Sequence, residues 1–343
     1  MAGNTPVRPA GAGWAAAAGP AGPGAVVPVR RRRRRWPYIL LSLFLVAAVV
    51  TVGSYFYLDS RLHRQDVLTN SADTPGTNWL IVGSDSRQGL SRAQEKQLAT
   101  GRAEGGRTDT MMLLHTGAGG TTLVSLPRDS YVAIPGHGYN KLNAAFAFGG
   151  AALLVRTIEQ NTGVHIDHYA EIGFGGFVGI VDSVGGVHMC VKTAMKDKKA
   201  GLDLKPGCQT LNGAQALGYV RTRASARADL DRVDHQRQFF AALMKKAAGP
   251  GVLLNPFRSI PLALHATDNF TVSRHDHLND LVALMWTMRG LSSGGGTTTT
   301  VPVGGFGSAS GVGSYLRWDT ARAGRLFTAL KNDTKVPAAA ISR

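Results

Sequence analysis

From Trp36 to Leu58 the chain carries no charged side chain, and six consecutive arginines, Arg30 to Arg35, stand directly before that run. A stretch of this length crosses the hydrocarbon layer of a bilayer as one helix. Arginine on the N-terminal flank and Asp59 on the other side place the N-terminus in the cytoplasm, with everything after residue 59 outside. Trp36, Tyr38, Tyr55 and Tyr57 sit near the ends of the run, where interfacial rings are favoured. A cleaved signal peptide is the competing reading. The run is too long for a signal h-region and no A-x-A site follows it, which favours a retained signal anchor. The arginines then have a sufficient role in topology without a nucleic-acid arm. Residues 1–29, mostly Ala, Gly, Pro and Val, hold too little packing material for a core and read as a disordered tail.

The net charge of +16 is only partly explained by the arginine run, so the rest of the chain is itself basic. That balance favours acidic partners: nucleic acid, anionic lipid or phosphate-bearing substrates. Aromatics make up 7% and no zinc-finger or RNP-like pattern occurs, which argues against nucleic acid. Cys190 and Cys208 are the only cysteines, and both fall on the external side of the span. An oxidising compartment favours a bridge between them, worth about 3 kcal/mol on the chain-entropy model. Two buried thiols are the alternative. Two sulfurs without a His ligand pattern make a metal site improbable.

Residues 59–76 are polar, contain Pro75 and Gly76, and read as a juxtamembrane linker. Asn78 to Gly83 is a compact apolar strand ending in Ser84-Asp85-Ser86-Arg87. After a polar segment, Arg107-Thr-Asp109-Thr leads into a second strand, Met111 to His115. Gly117 to Gly120 turns into a third, Thr122 to Leu126, which ends in Pro127-Arg128-Asp129. Polar residues just past core strands form sites in open α/β sheets. Asp85 and Asp109 together suit a hard cation with substrate oxygens completing its shell. Alternatively, Asp85 is a turn residue and the acids pair with Arg107 and Arg128. Lys141 precedes a helix over Ala144 to Ile158, with Gly163 as its C-cap, and brings a cation to a helix N-terminus.

His165 to Ile172 reads as a strand with His165 and His168 on opposite faces, so the two do not form a metal pair. A short Gly-rich helix is expected over Phe174 to Val184 and a strand over Val187 to Val191. A charged loop follows over Met195 to Lys205, then a one- or two-turn helix over Leu211 to Leu217. Past Pro250 the pattern gives helices at about 252–265 and 277–290, a strand Thr299 to Val303, a Gly-rich loop and a last helix from Asp319 to Leu330.

The densest cationic stretch is Tyr219 to Gln238. A β-like run over Gly218 to Arg223 would aim Arg221 and Arg223 the same way. Asp229 caps a helix over about Leu230 to Lys246, on which Arg232 and Gln236 share a face. Three guanidiniums and an amide at one spot suit a phosphate, because the planar fork of Arg cannot lose its charge. A solvated basic strand and helix is the alternative. The chain lacks G-x-x-x-x-G-K-[ST], G-x-S-x-G and H-E-x-x-H, which removes support for P-loop, serine-hydrolase and zinc-protease chemistry.

Taken together, these blocks resemble the LytR–CpsA–Psr (LCP) family. They are Gly83-Ser-Asp85, Arg107-Thr-Asp109-Thr-Met-Met, Val124-Ser-Leu-Pro-Arg128-Asp129 and Asn140-Lys141-Leu-Asn143-Ala-Ala. Val181 to Val187, Leu211 to Leu217, Tyr219 to Arg223 and Asp229 to Gln238 continue the series. The resemblance is strong over 78–250, and the remainder completes an external domain of residues 77–335, behind a tail (1–35), a span (36–58) and a linker (59–76). It implies an α/β/α sandwich around a mixed central sheet, preceded by one transmembrane helix, with a deep pocket for a polyprenyl phosphate lipid.

It also implies a magnesium-dependent phosphotransferase that moves a secondary glycopolymer (teichoic acid, capsule or arabinogalactan, by organism) from a polyprenyl-pyrophosphate carrier onto peptidoglycan through a phosphodiester. Carried over by motif, Asp85 and Asp109 are magnesium ligands or support the groups that are. Arg107, Arg128, Lys141, Arg221, Arg223, Arg232 and Gln236 form the pyrophosphate cradle. Asp109, Arg128, Arg221 and Arg223 are the residues closest to catalysis, and Asp109 or Asp229 is the candidate for deprotonating the acceptor hydroxyl. Two departures stand out. Asp231 and His235 replace a Gly and an Arg of the family pattern, and a long insert separates Asp85 from Asp109. The other class of function compatible with these residues is a non-catalytic membrane sensor of polyprenyl-phosphate lipids. The tail shows no partner motif for such a role.

Overall fold

The apolar run forms one helix, α1 (Trp36–Ser60), without a buried residue and long and apolar enough to cross a membrane. The computed structural model describes residues 36–86, 98, 108–222 and 229–342, with no account of the side chains of 229–234. The tail, Arg107 and Arg223 therefore lie outside the described residues, as do the side chains of Asp229, Asp231 and Arg232.

Seven strands form the central sheet: β1 (His63–Gln65), β2 (Thr77–Ser84), β3 (Thr108–Thr116), β4 (Thr122–Ser125), β7 (His168–Ile172), β12 (Phe270–Ser273) and β13 (Thr297–Thr300). Their order is β1-β12-β7-β2-β3-β4-β13. The pairs β1/β12, β2/β7 and β4/β13 are parallel and the other three antiparallel, so the sheet is mixed as expected. Trp79 to Val82 read as a continuous apolar run because both faces are covered. Leu80, Val82, Met111, Leu113 and Val124 pack against α2 (Leu142–Thr162) and α9 (Thr320–Lys331), through Leu154, Ile158, Leu326 and Leu330. The alternate residues Trp79, Ile81, Met112 and Leu114 face α5 (Asp229–Ala247) and α8 (Leu278–Ser292). Helix α2 also has the length of a span, but its apolar face is buried in this core, and it kinks where Gly149 and Gly150 leave helical geometry.

A third cluster gathers α3 (Phe174–Ser183), α4 (Gly213–Arg221) and α5 around two nested hairpins. The outer hairpin pairs β8 (Val187–Val191) with β11 (Gly207–Leu211), in register at Cys190 and Cys208, which form the disulfide. The segment expected as a charged loop is the inner hairpin, β9 (Met195–Asp197) with β10 (Leu202–Leu204). Met195, Leu202 and Leu204 point inward while Lys196 and Asp203 point out, a period-2 pattern too short to stand out among its charges. Helix α3 owes its glycines to α7 (Pro256–Asn269). A Cβ on Gly176 would lie 2.3 Å from that of Asn269, and one on Gly179 would lie 2.8 Å from the His265 ring.

Other expectations are corrected. The presumed linker carries β1, which joins the sheet edge by pairing with β12, and Val67 is buried in the core. A strand lies at 270–273 in the interval between the two helices expected past Pro250, and α6 (Pro250–Leu253) precedes α7. The Gly-rich loop near the end is the hairpin β14 (Val303–Ala309) and β15 (Gly313–Trp318). Between β4 and α2 lies another, β5 (Tyr131–Ile134) with β6 (Gly138–Lys141). His165 precedes the strand that begins at His168. It bonds to Glu159 and Ser71.

Asp276 fastens β7 to β12. It is buried and accepts from the backbone N–H of Tyr169 and Ser273 and from the His168 ring, 2.5 Å away. Burial pulls the imidazole down, and the hydrogen bond and charge of Asp276 outweigh it, so the His168 pKa is raised. Burial likewise lifts Asp276, and its hydrogen bonds and His168 outweigh that, so its pKa is lowered. The raised histidine contributes stability that is full below about 6.5 and lost as pH climbs through its folded value. The lowered acid contributes stability present above about 3.9 and lost as pH falls through its folded value. The pair should therefore stabilise most between those limits. His168→Gln should flatten the alkaline decline of Tm, and Asp276→Ala should cost roughly 3 kcal/mol in denaturant titrations.

Candidate functional site

Strands β2 and β4 finish at one end of the sheet, where β3 begins, and the sequence-derived residues collect there. Gly83 pairs with Thr110 but Ser84 with Thr108, so Asp109 is the extra residue of a bulge. Bulges re-aim a side chain at a sheet margin. Asp85 follows β2 directly. Arg128 follows β4 by three residues and donates from Nη1 to Asp109 Oδ1 at 2.7 Å and from Nε to Asp129 Oδ2 at 3.3 Å. Lys141 Nζ lies 3.0 Å from the other Asp129 oxygen, Oδ1. Asp129 thus holds two cations side by side, and Arg128 ties them to Asp109.

Lys141 is the N-cap of α2, and the first two amides of this helix are already engaged. The N–H groups of Leu142 and Asn143 donate to the carbonyls of Ser130 and Arg128. They lock the loop that carries Arg128.

The second group of residues reaches the same sheet end from the other side. Ser86 accepts at its carbonyl from Phe174 N–H at 3.0 Å. The Arg221 guanidinium lies 4.8 Å above the Phe174 ring and donates to the Leu98 carbonyl at 3.0 Å. Residues 218–221 of the expected strand are in fact the last turn of α4, with Thr222 as C-cap. An Asn212/Gln215 capping box starts this helix, and Ala216, Leu217 and Val220 bury at helical spacing, which overrides the β-like local composition. Arg221 is accordingly presented by a helix end. Gln236 is buried and donates to the Val220 carbonyl at 3.1 Å, so it fastens α5 to the end of α4. His235, the departure from the family pattern, lies 4.8 Å from the Tyr219 ring, whose phenol is pushed up by burial. Arg107 and Arg223 are not placed.

Two carboxylates at one sheet end are hard oxygen donors of the kind that bind magnesium with substrate phosphate. Asp109 keeps a third of its side chain exposed while bonded to Arg128, the pairing that the sequence offered as the alternative to metal ligation. Among the described residues the one group of three candidate metal ligands is His188, Cys190 and Cys208, whose sulfurs are bridged to each other.

An apolar cavity of about 260 Å³ is lined by Ile81, Ile172, Phe240, Leu262, Phe270 and Met285 among others. Ile81 is four residues before Asp85, Ile172 two before Phe174, and Phe240 one turn after Gln236, so the cavity is lined by the elements that lead to those three residues. An amphiphile with an anionic head has chemistry for both parts.

The chain matches the LytR_cpsA_psr family over residues 53–332. It belongs to that family. LcpB of Corynebacterium glutamicum, a probable cell wall biosynthesis protein, is 50% identical over 296 residues, spanning 83% of this chain and 70% of its own length. The polyisoprenyl-teichoic acid–peptidoglycan teichoic acid transferase TagT of Bacillus subtilis is 32% identical over 242 residues, 64% of this chain and 72% of its own. A LytR-Csp2A-Psr enzyme from Actinomyces oris superposes with a TM-score of 0.63 at 22% identity, over 79% of this chain and 96% of that one, which establishes the shared fold.

Three features of this LCP site escaped the sequence reading. Asp129 was visible beside Arg128, but only the fold shows it bridging to Lys141. Phe174 carries Arg221 from a distant segment. The cavity walls come largely from α7, α8 and β12, outside the strongest motif blocks. One junction is open to a direct check. A Cβ on Gly173 would meet the Ser86 carbonyl at 2.8 Å. Gly173→Ala should push β2's end away from Phe174 and lower the denaturation midpoint by an amount equivalent to roughly 1–3 kcal/mol. Binding of inorganic pyrophosphate, followed by calorimetry, should weaken with it.

Proposed function

We propose that this chain is a membrane-anchored phosphotransferase that attaches a secondary cell-wall glycopolymer, carried on polyprenyl pyrophosphate, to peptidoglycan through a phosphodiester bond. The observation that carries the reading is the set of cations at one end of the sheet, Arg128 and Lys141 joined through Asp129 and Arg221 over Phe174, together with an apolar cavity lined by β2 and β7 of the same sheet. A polyprenyl chain takes the cavity and the pyrophosphate meets the cations. The name of TagT supports the transfer reaction, and that of LcpB a place in cell wall biosynthesis. Helix α1 anchors the enzyme with its N-terminus in the cytoplasm, and the LCP domain works outside.

In the reaction an acceptor hydroxyl oxygen forms a bond to the phosphorus that bears the glycopolymer. The bond from that phosphorus to the bridging oxygen breaks, and polyprenyl phosphate leaves. Arg128 and Arg221 donate to the phosphate oxygens as charge moves onto the leaving group, with Lys141 beside them as a point charge. Asp129 holds Arg128 and Lys141 in place before substrate arrives. Asp109 or Asp229 receives the hydroxyl proton. Asp85 and Asp109 would hold magnesium, which when bound supplies neutralisation of the pyrophosphate charge.

The full chain in proteoliposomes, given a polyprenyl-pyrophosphate-linked glycan and peptidoglycan fragments, should release polyprenyl phosphate and form the linked product only with magnesium. Arg128→Ala and Arg221→Ala should each slow this by about 10²- to 10³-fold with an unchanged circular dichroism spectrum. Tight lipid binding without any product, acceptor present, would sink the transferase reading in favour of a lipid sensor.

A further inference from the structure

Helices α6, α7 and α8 expose apolar side chains at the outer mouth of the cavity. Leu254 and Phe257 are 82% and 88% exposed, and Ile260, Val282 and Trp286 follow on neighbouring turns. Leu253 and Val282 both line the cavity and reach solvent, so the mouth lies between these helices. The charges around this face are basic. Lys246 Nζ reaches the Gly185 carbonyl at 3.1 Å, and burial, with Arg258 nearby, lowers its pKa. The Arg289 guanidinium lies 5.0 Å over the Trp286 ring. Among the described residues none of these three cations makes an ion pair. The acids of α7 and α8 are engaged elsewhere, Asp268 on Arg61 and Asp280 on the N–H of His277.

The outgoing end of α1 is fastened to the same two helices. Tyr55 donates to Asn279 at 3.0 Å, Asp59 accepts from the N–H of Leu278 at 2.8 Å, and Arg61 forks onto Asp268. Helix α8 therefore starts, and α7 ends, where the chain leaves its membrane span.

We propose that the face made by Leu254, Phe257, Ile260, Val282 and Trp286 lies in the surface of the bilayer that α1 enters, so that the cavity opens sideways into lipid. Aromatic and aliphatic side chains rimmed by Lys and Arg have the composition of an interfacial membrane face, and the cations match anionic headgroups. A prenyl chain then passes from bilayer to cavity without crossing water. The proposal rests on α1 as a membrane span and is independent of the transfer chemistry.

The test uses the full chain, one copy per nanodisc, in equal parts phosphatidylcholine and phosphatidylglycerol. A nitroxide is placed at Phe257→Cys, and for comparison at Lys196→Cys on the exposed side of β9. Power-saturation measurements compare collisions with oxygen and with a water-soluble nickel chelate. The ratio of oxygen to nickel collisions should be severalfold higher at position 257 than at 196. It should fall toward the value at 196 when Leu254→Asp and Ile260→Asp are added. Equal ratios at the two positions would overturn the proposal. So would protection of position 257 only in discs holding two copies, which would make this face a contact between copies of the chain.

Discussion

Everything at the site depends on how the loop after β4 is pinned. Three successive carbonyls, of Arg128, Asp129 and Ser130, accept from Asn143, Leu316 and Leu142. The Ser130 hydroxyl takes the Trp318 indole at 2.9 Å. The start of α2 and the strand β15, distant in sequence, thus converge on one short loop. Its side chains have little freedom left before a ligand arrives. A cationic site built this way gives up little conformational entropy on binding, because the ordering is already done by folding.

The acids of the site need the same treatment as the bases. Asp109 and Asp129 meet Arg128 on separate nitrogens, and Asp129 also meets Lys141. Such pairing lowers the net charge the empty site presents, yet it aims each guanidinium in advance. A polyanion entering the site competes with carboxylates for donors already pointed at it. The cost of keeping several like charges together in the absence of substrate is offset by those same acids.

Much of this was legible in the chain itself. Continuous apolar runs made Trp79 to Val82 and Met111 to Leu114 recognisable as core strands, and Gly163 marked the end of α2, where it adopts the left-handed conformation, φ 69°. The charged ends of those strands pointed to the site because a sheet covered on both faces leaves only its ends for chemistry. What remained hidden had physical causes. β1 is three polar residues held by backbone bonds, and no side-chain pattern announces it. Arg221 stands on a helix although its neighbours favour a strand, because the Asn212 cap and burial of Leu217 and Val220 outweigh local preference. The cavity is a property of how α7 and α8 pack, and its side chains read individually as ordinary core.

Only two residues, Arg61 and Leu62, separate α1 from a strand of the central sheet. For the function proposed above this means a site without a stalk: the chain between helix and sheet is too short to act as a tether, so the glycan within reach would be that lying nearest the membrane.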